Sequence, residues 1–337
     1  MKTIPLVRAA ILLPFTDFLD QIGAPTEQLL ERCHLSSVLL TDPERLIPML
    51  PSSAFLETAA CSEGIETFGL LVGQQMQPAN LGEFGRLLNH SLTLFDFLIT
   101  LERTINLLNS GERVQLLWQP DGVWLQSHLF AFNRGEASHA QCFSLMAHLN
   151  FLQFFLGPNW QPMSIRLAMA PSPAIRNQAR FEGVPLQFNS AQNAIKIHKS
   201  RLSLPLQPAP SAYLLKSQAD YDALHRSAPA PDFATSLQQL IQSLLPRGYP
   251  DITQAAQASG MSVRSLQRRL AVAEVSYSGL VEQVRFNLAM QWLQDPSLKL
   301  SEIAMELGYT ESSNFSRAFK RWAGVCPREY RLTHYQS

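Results

Sequence analysis

An α+β N-terminal domain followed by an all-α domain of two helix-turn-helix units joined by a long helix is the architecture this 337-residue sequence predicts. Three observations carry the prediction. Residues 251–270 and 300–319 repeat one another at an offset of 48 that lengthens to 49 beyond a shared glycine turn. Two proline-alanine stretches, 205–211 and 227–232, interrupt the chain, because proline fixes φ and removes a donor. Upstream of them helical and alternating patterns mix, whereas every segment after residue 235 reads as helix.

The length fits two domains plus a linker, each domain able to bury a core. A composition 46% hydrophobic and 16% charged is globular, and no window approaches a membrane span, so a soluble protein is expected. The apolar run 9–15 follows Lys2 and Arg8 but is broken by Pro14 and Asp17, with no small-residue cleavage site. It is expected to be a first core helix rather than an export signal. Four cysteines lie far apart with no CxxC, which suits a reducing compartment and gives neither a disulfide framework nor a zinc knuckle. The net charge is zero, yet from Thr235 onward eleven Lys and Arg face eight Asp and Glu. Sixteen basic and nineteen acidic residues precede them, an asymmetry in the direction of a nucleic-acid-binding C-terminus.

In the N-terminal part, helical periodicity marks 52–61, 92–108 and 136–155. Val114, Leu116 and Trp118 alternate, Pro120-Asp121-Gly122 turns, and Val123 and Leu125 resume the alternation, which is a hairpin. Residues 164–169, 185–188 and 194–197 read as further short strands, and 213–226 as a short helix between the two proline stretches, with the main boundary near 232.

In each repeat an alanine (Ala256, Ala304) sits four residues before a glycine (Gly260, Gly308), and a hydroxyl residue (Ser262, Thr310) follows two later. The small residue lets a second helix approach, the glycine takes the left-handed position ending the first helix, and the hydroxyl is expected to cap the second. Each repeat is thus a helix-turn-helix. At about 100° per residue, Val263, Leu266 and Leu270 share one side of the first unit's second helix, as do Phe315, Phe319 and Trp322 in the second unit. Opposite lie Arg264 and Arg268, and Ser313, Arg317 and Lys320, with no carboxylate at the centre of either face. A lone helix with two outward arginines is ordinarily a solvated face. Two units of the same geometry reverse that reading and point to the major groove, where arginine bonds guanine bidentately. Between them 277–294, with Leu280, Val284, Leu288 and Trp292 spaced for burial, would form a rod of about 27 Å, near the ~34 Å between successive grooves.

The C-terminal hundred residues resemble the AraC/XylS family of bacterial transcription regulators. The resemblance rests on Gly260-Met-Ser-Val-Arg-Ser-Leu-Gln-Arg-Arg-Leu270, Leu300-Ser-Glu-Ile-Ala, Leu307-Gly-Tyr and the run from Asn314 to Arg331. Cys326 departs mildly, standing where the family more often has threonine or serine before the proline. The resemblance implies that Arg264, Ser265 and Arg268 face DNA from the first unit, and Ser312, Ser313, Asn314, Arg317 and Lys320 from the second. Residues 10–210 are similar to the sensor domain labelled arabinose-binding-like in some members. The carriers are Phe68-Gly-Leu-Leu-Val-Gly, Asn80-Leu-Gly-Glu-Phe-Gly, Ser91-Leu-Thr-Leu, Trp160-Gln-Pro and Val184-Pro-Leu-Gln-Phe188. Arabinose itself is not inferred, since such domains answer varied small metabolites.

The resemblance implies a cytoplasmic activator of three parts: an effector-sensing and dimerisation domain at 1–210, a linker at 211–234 and a DNA-binding domain at 235–337. Its expected partners are double-stranded promoter DNA, RNA polymerase, a small-molecule effector and a second copy, with no cofactor and no membrane. The effector site is open. Phe143, Phe151, Phe154 and Phe155 beside Trp118 and Trp124 would line an apolar pocket for an acyl or aromatic effector, although aromatics at helical spacing are more often core. His139, Cys142 and His148 share one helix, but only the first pair is spaced to touch a metal, so none is expected. The alternative is a ligand-independent regulator whose N-terminal domain only dimerises or binds a protein. An enzyme is not expected, because Pro-Cys-His-Arg, GxSxG, HExxH and glycine-rich phosphate loops are all missing.

Overall fold

The computed structural model describes residues 3–133, 136–206 and 218–335, with side chains to 333. The chain divides into two compact units, one of Pro5–Pro229 and one combining Met1–Ile4 with Ala230–Ser337.

The larger unit opens with a three-residue strand, β1 (Leu6–Arg8), followed by α1 (Leu13–Gln21) and α2 (Thr26–Arg32). The expected first helix over 9–15 therefore begins late. β1 pairs antiparallel with β2 (Leu46–Pro48), and residues 9–11 form a single 3-10 turn. Three strand residues are too few to show a period against the apolar run that follows. Next come α3 (Met49–Glu63), α4 (Phe68–Gly73), α5 (Gly82–Leu88) and α6 (Leu94–Leu108). α6 starts at a capping box in which Asp96 N donates to Thr93 Oγ1 (3.1 Å) and Thr93 N donates to Asp96 Oδ2 (3.1 Å). Its Leu94, Phe97, Leu98, Leu101, Ile105 and Leu108 recur at helical spacing and are buried.

The hairpin forms as read, β3 (Glu112–Gln119) against β4 (Gly122–Leu129) with Gln119 opposite Gly122. The central helix α7 (Ser138–Leu156) follows, then β5 (Ser164–Arg166), α8 (Pro173–Arg176), β6 (Leu186–Gln187), β7 (Asn193–His198) and α9 (Gln218–Arg226). The sheet order is β3-β4-β7-β5-β6, antiparallel except for β5 with β6. α7 is apolar nearly all round and sits inside the unit, with Phe143, Met146, Leu149 and Leu152 buried. α4 meets it at Gly69, where an added Cβ would lie 2.0 Å from the His139 carbonyl oxygen.

α9 packs into this unit. Leu224 belongs to its core, and the buried Arg8 donates from Nη2 to Leu224 O (3.0 Å) and Ser227 Oγ (3.1 Å). The linker expected at 211–234 thus contains a helix that is integrated with the N-terminal body, while residues 207–217, including the start of the helix read at 213–226, lie outside the described residues.

The smaller unit is helical: α10 (Phe233–Leu244), α11 (Ile252–Ala258), α12 (Val263–Val272), α13 (Tyr277–Trp292), α14 (Leu300–Glu306), α15 (Ser312–Ala323) and α16 (Pro327–Tyr335). Asp232, Asp251, Ser262 and Ser276 each accept a backbone N–H at the start of α10, α11, α12 and α13, so local sequence fixes where these helices begin. α13 spans 16 residues, a rod of about 24 Å, slightly shorter than the 277–294 stretch expected. Among the described residues no helix is long and apolar enough to cross a membrane.

Candidate nucleic-acid interface and effector cavity

In the first helix-turn-helix, α11 carries the buried Ala256, Gly260 turns the chain at φ +68°, and α12 follows. Ser262 caps α12 as expected: Ser265 N donates to Ser262 Oγ (3.2 Å), and the Ser262 hydroxyl lies 3.0 Å from that of Ser265. Leu266 and Leu270 are buried, whereas Val263 is only half-buried. Arg264 and Arg268 are exposed on the opposite side, and Ser265 is half-buried between them and the cap.

The second unit repeats the turn, with Ala304 buried and Gly308 at φ +73°. Its cap differs. Thr310 does not cap α15: the residue before the helix is Glu311, in extended backbone with no side-chain cap bond, and the added residue of the 49 offset shifts the start by one. Glu311 instead accepts from the Ser313 hydroxyl at 3.0 Å, placing a carboxylate at the N-terminal border of the face. Phe315 and Phe319 are fully buried and Trp322 is half-buried. Ser312, Ser313, Arg317 and Lys320 are exposed, and half-buried Asn314 accepts from Arg317 Nη2 at 2.5 Å, so one guanidinium edge is oriented by its neighbour.

Two residues missed in the sequence tie α13 to the turns. Arg285, 7% exposed, donates from Nη2 to Gly308 O (3.0 Å), with its guanidinium 4.2 Å from the Tyr309 ring centroid and 5.0 Å from that of Tyr249. Burial lowers its pKa, opposed by the neighbouring tyrosines. Tyr277 OH donates to Pro250 O (3.0 Å), just before α11. The available signal was a cation inside the apolar stripe of α13, next to Val284.

The aromatics of the N-terminal unit do not form one pocket. Phe143 and Phe151 line an internal cavity, Phe155 packs on Phe97 (4.8 Å between centroids), and Phe154 is exposed. Trp118 is exposed against Phe95, while Trp124 is buried with Arg166 stacked 3.9 Å from its ring centroid. His139 lies 3.7 Å from the Glu57 carboxylate, Cys142 Sγ contacts Met169 Sδ, and His148 faces the cavity. No cluster of three metal-binding side chains occurs among the described residues. Burial pushes the Cys142 thiol up to about 12, the opposite of a reactive thiolate.

The cavity measures about 70 Å³ and lies between β1, α3, α6, α7 and the strand end of β3. Aliphatic and aromatic side chains, among them Leu56, Leu101, Ile105 and Phe143, form most of its wall. Its polar groups include Asn109, Glu112, Ser144 and His148. Ser144 Oγ donates to Glu112 Oε1 at 2.6 Å, and Asn109 Nδ2 donates to Glu112 Oε2 at 3.4 Å.

Burial lowers the His148 pKa below 6.5, with Glu112 partly opposing. The unfolded chain therefore takes up this proton before the folded one, and stability is full above about pH 6.5 and declines as pH falls below it. His139, also lowered by burial, acts in the same direction. Thermal melts of His148→Gln are expected to lose part of the acid-side slope of the wild type; an unchanged slope would rule out a neutral buried imidazole.

A family model described as the arabinose-binding domain of AraC transcription regulators, N-terminal, matches residues 23–206, and a helix-turn-helix domain model matches 255–333. The "Ornithine utilization regulator" of Pseudomonas aeruginosa is 26% identical over 98% of this chain and 96% of its own. The "HTH-type transcriptional regulator VirS" of Mycobacterium tuberculosis is 24% identical over 97% and 96%. A crystal structure of transcriptional regulator CdpR from Pseudomonas aeruginosa, 24% identical, covers 90% of this chain and 97% of that one with a TM-score of 0.39. Two helix-turn-helix units with exposed basic faces, following a domain matched over most of its length, have one reading: the chain belongs to the AraC family of DNA-binding transcription regulators.

Proposed function

We propose that this regulator activates transcription by reading two boxes of a promoter, one with α12 and one with α15, under control of a small-molecule effector held in its N-terminal unit. The carrying observation is that Arg264 and Arg268 on α12, and Arg317 and Lys320 on α15, are all exposed opposite buried stripes. Ser265, Ser312, Ser313 and Asn314 border those faces and complete the proposed contact set, suited to base edges and phosphates. A near-full-length relative named for ornithine utilisation supports a metabolite input. In this reading the protein acts in the cytoplasm as a dimer that engages RNA polymerase, and effector binding shifts promoter occupancy through a coupling of about 1–3 kcal/mol.

The test is to incubate the full-length protein with fragmented DNA of its own genome at near-physiological salt and sequence what is retained. A few fragments sharing two boxes about one turn apart support the reading. Arg268→Ala and Arg317→Ala are each expected to lower specific affinity by about 1–3 kcal/mol and to relax preference at one position. Binding by both variants equal to wild type removes the face assignment. DNA affinity set by protein concentration alone, with no saturable effector, would favour an N-terminal unit that only dimerises.

A further inference from the structure

We propose that the cavity bounded by β1, α3, α6 and α7 binds a small organic cation, an ammonium group on a short apolar body. The proposal rests on the effector reading for its regulatory role but not for its chemistry. At about 70 Å³ the space is several times the ~10–15 Å³ that admits one water. Its wall is mainly apolar and includes Met49 and Met76, whose unbranched side chains adapt to an occupant.

The polar lining gives the ligand its sign. Glu112 is 7% exposed, and the hydrogen-bond donors to its carboxylate are the neutral Ser144 and Asn109. Asn109 is itself oriented, because its Oδ1 accepts from Gly111 N at 3.0 Å and turns the amide NH2 toward Glu112. Among the described residues no lysine or arginine pairs with this carboxylate. A buried carboxylate is stable when paired with a cation, and each of its oxygens has acceptor capacity beyond the one bond it receives. Two further polar side chains line the same cavity without a hydrogen bond to any described residue: the imidazole of His148, 5% exposed, and the hydroxyl of Ser53, also 5% exposed. An imidazole kept neutral by burial has one acceptor nitrogen, and a hydroxyl has two lone pairs. An ammonium with three N–H donors meets one carboxylate and these two acceptors, while its carbon chain fills the apolar remainder. A ligand carboxylate would face Glu112 with like charge.

The experiment uses the full-length protein and three probes of equal carbon count, n-butylammonium, n-butanol and butyrate, followed by calorimetry and thermal shift. The ammonium is expected to bind at least about tenfold more tightly than the alcohol, as a charge-assisted bond should give, with butyrate weakest. Butanol equal to the ammonium, or butyrate tightest, overturns the proposal without reference to any variant. Glu112→Gln should bring the ammonium to the level of the alcohol, and Ala147→Phe, which fills the cavity, should remove both. Ammonium binding unchanged by either substitution in folded protein places the ligand elsewhere and also overturns it. DNA affinity measured alongside separates the two readings. Glu112-dependent binding with no change in DNA affinity supports the site and sinks effector control through it, whereas no ammonium binding, with DNA affinity that still answers another metabolite, overturns the site and leaves effector control standing.

Discussion

Gly308→Ala is expected to destabilise the DNA-binding unit by about 3 kcal/mol or more and to lower its melting temperature by roughly 10 °C or more. Two costs add. An alanine at φ +73° occupies the left-handed region, at about 1–2 kcal/mol. Its Cβ would also lie 2.7 Å from Gly248 C, Gly248 O and Leu245 O, all backbone atoms that cannot rotate away. The damage reaches the long helix α13 because Arg285 is bonded to the Gly308 carbonyl, and displacement of that oxygen takes from a buried guanidinium its backbone acceptor. Gly324→Ala isolates the first cost: φ is +78°, but nothing lies within 4 Å, so about 1–2 kcal/mol is expected. Calorimetry of both variants decides it. Equal losses would mean that the crowding at Gly308 relaxes freely.

Arg8→Met should destabilise the N-terminal unit by about 3–5 kcal/mol. Arg8 is fully buried, and its guanidinium joins three distant parts of the chain. Nε donates to Leu107 O (2.8 Å), Nη1 to Glu44 Oε2 (2.8 Å) and Glu44 O (3.1 Å), and Nη2 to Leu224 O and Ser227 Oγ. Methionine fills the space but removes the guanidinium donor from the Leu107 and Glu44 carbonyls, leaves Leu224 O only the Ser227 hydroxyl at 3.3 Å, and leaves the Glu44 carboxylate without its cation. Because Leu224 and Ser227 flank the end of α9, increased protease sensitivity around residue 226 should accompany the lost stability. Arg321→Ala is the contrast: the Arg321–Glu282 pair has both side chains more than half exposed, and its loss should stay within about 1 kcal/mol. Similar effects for the two arginines would refute the central role of Arg8.

These two residues also mark where the sequence could be read and where it could not. Gly308 was legible because its role is local: alanine four before, hydroxyl two after, and a second copy at Gly260 to confirm the spacing. The faces of α12 and α15 were legible for the same reason, since helical rotation alone separates Leu266 from Arg268 and Phe319 from Lys320. The cap of α15 was misread because the repeat gains a residue just past its glycine, and pattern cannot tell which of Thr310 and Glu311 absorbs it. Arg8 was illegible, since its partners stand 36 to 219 positions away and nothing adjacent announces them. The cavity lay between these extremes. Phe143 and His148 were singled out on their helix, but the join to Glu112 depends on how β3 leaves α6, which no periodicity records.

The split of the chain into compact bodies has a consequence for how such a regulator can be recombined. The body that holds the helix-turn-helix units is not contiguous in the gene, because it takes Thr3 and Ile4 from the opposite end of the chain. Thr3 Oγ1 donates to Ala230 O (2.9 Å) and Ile4 N donates to the fully buried Ser236 Oγ (3.0 Å). A single crossover after Pro229 would therefore transplant the reader without its own first strip of backbone and leave Ser236 dependent on whatever leader the recipient brings. Exchange of N-terminal units between such proteins works best as an insertion, in which everything between Ile4 and Ala230 is replaced as a cassette and both flanks stay with the helix-turn-helix body.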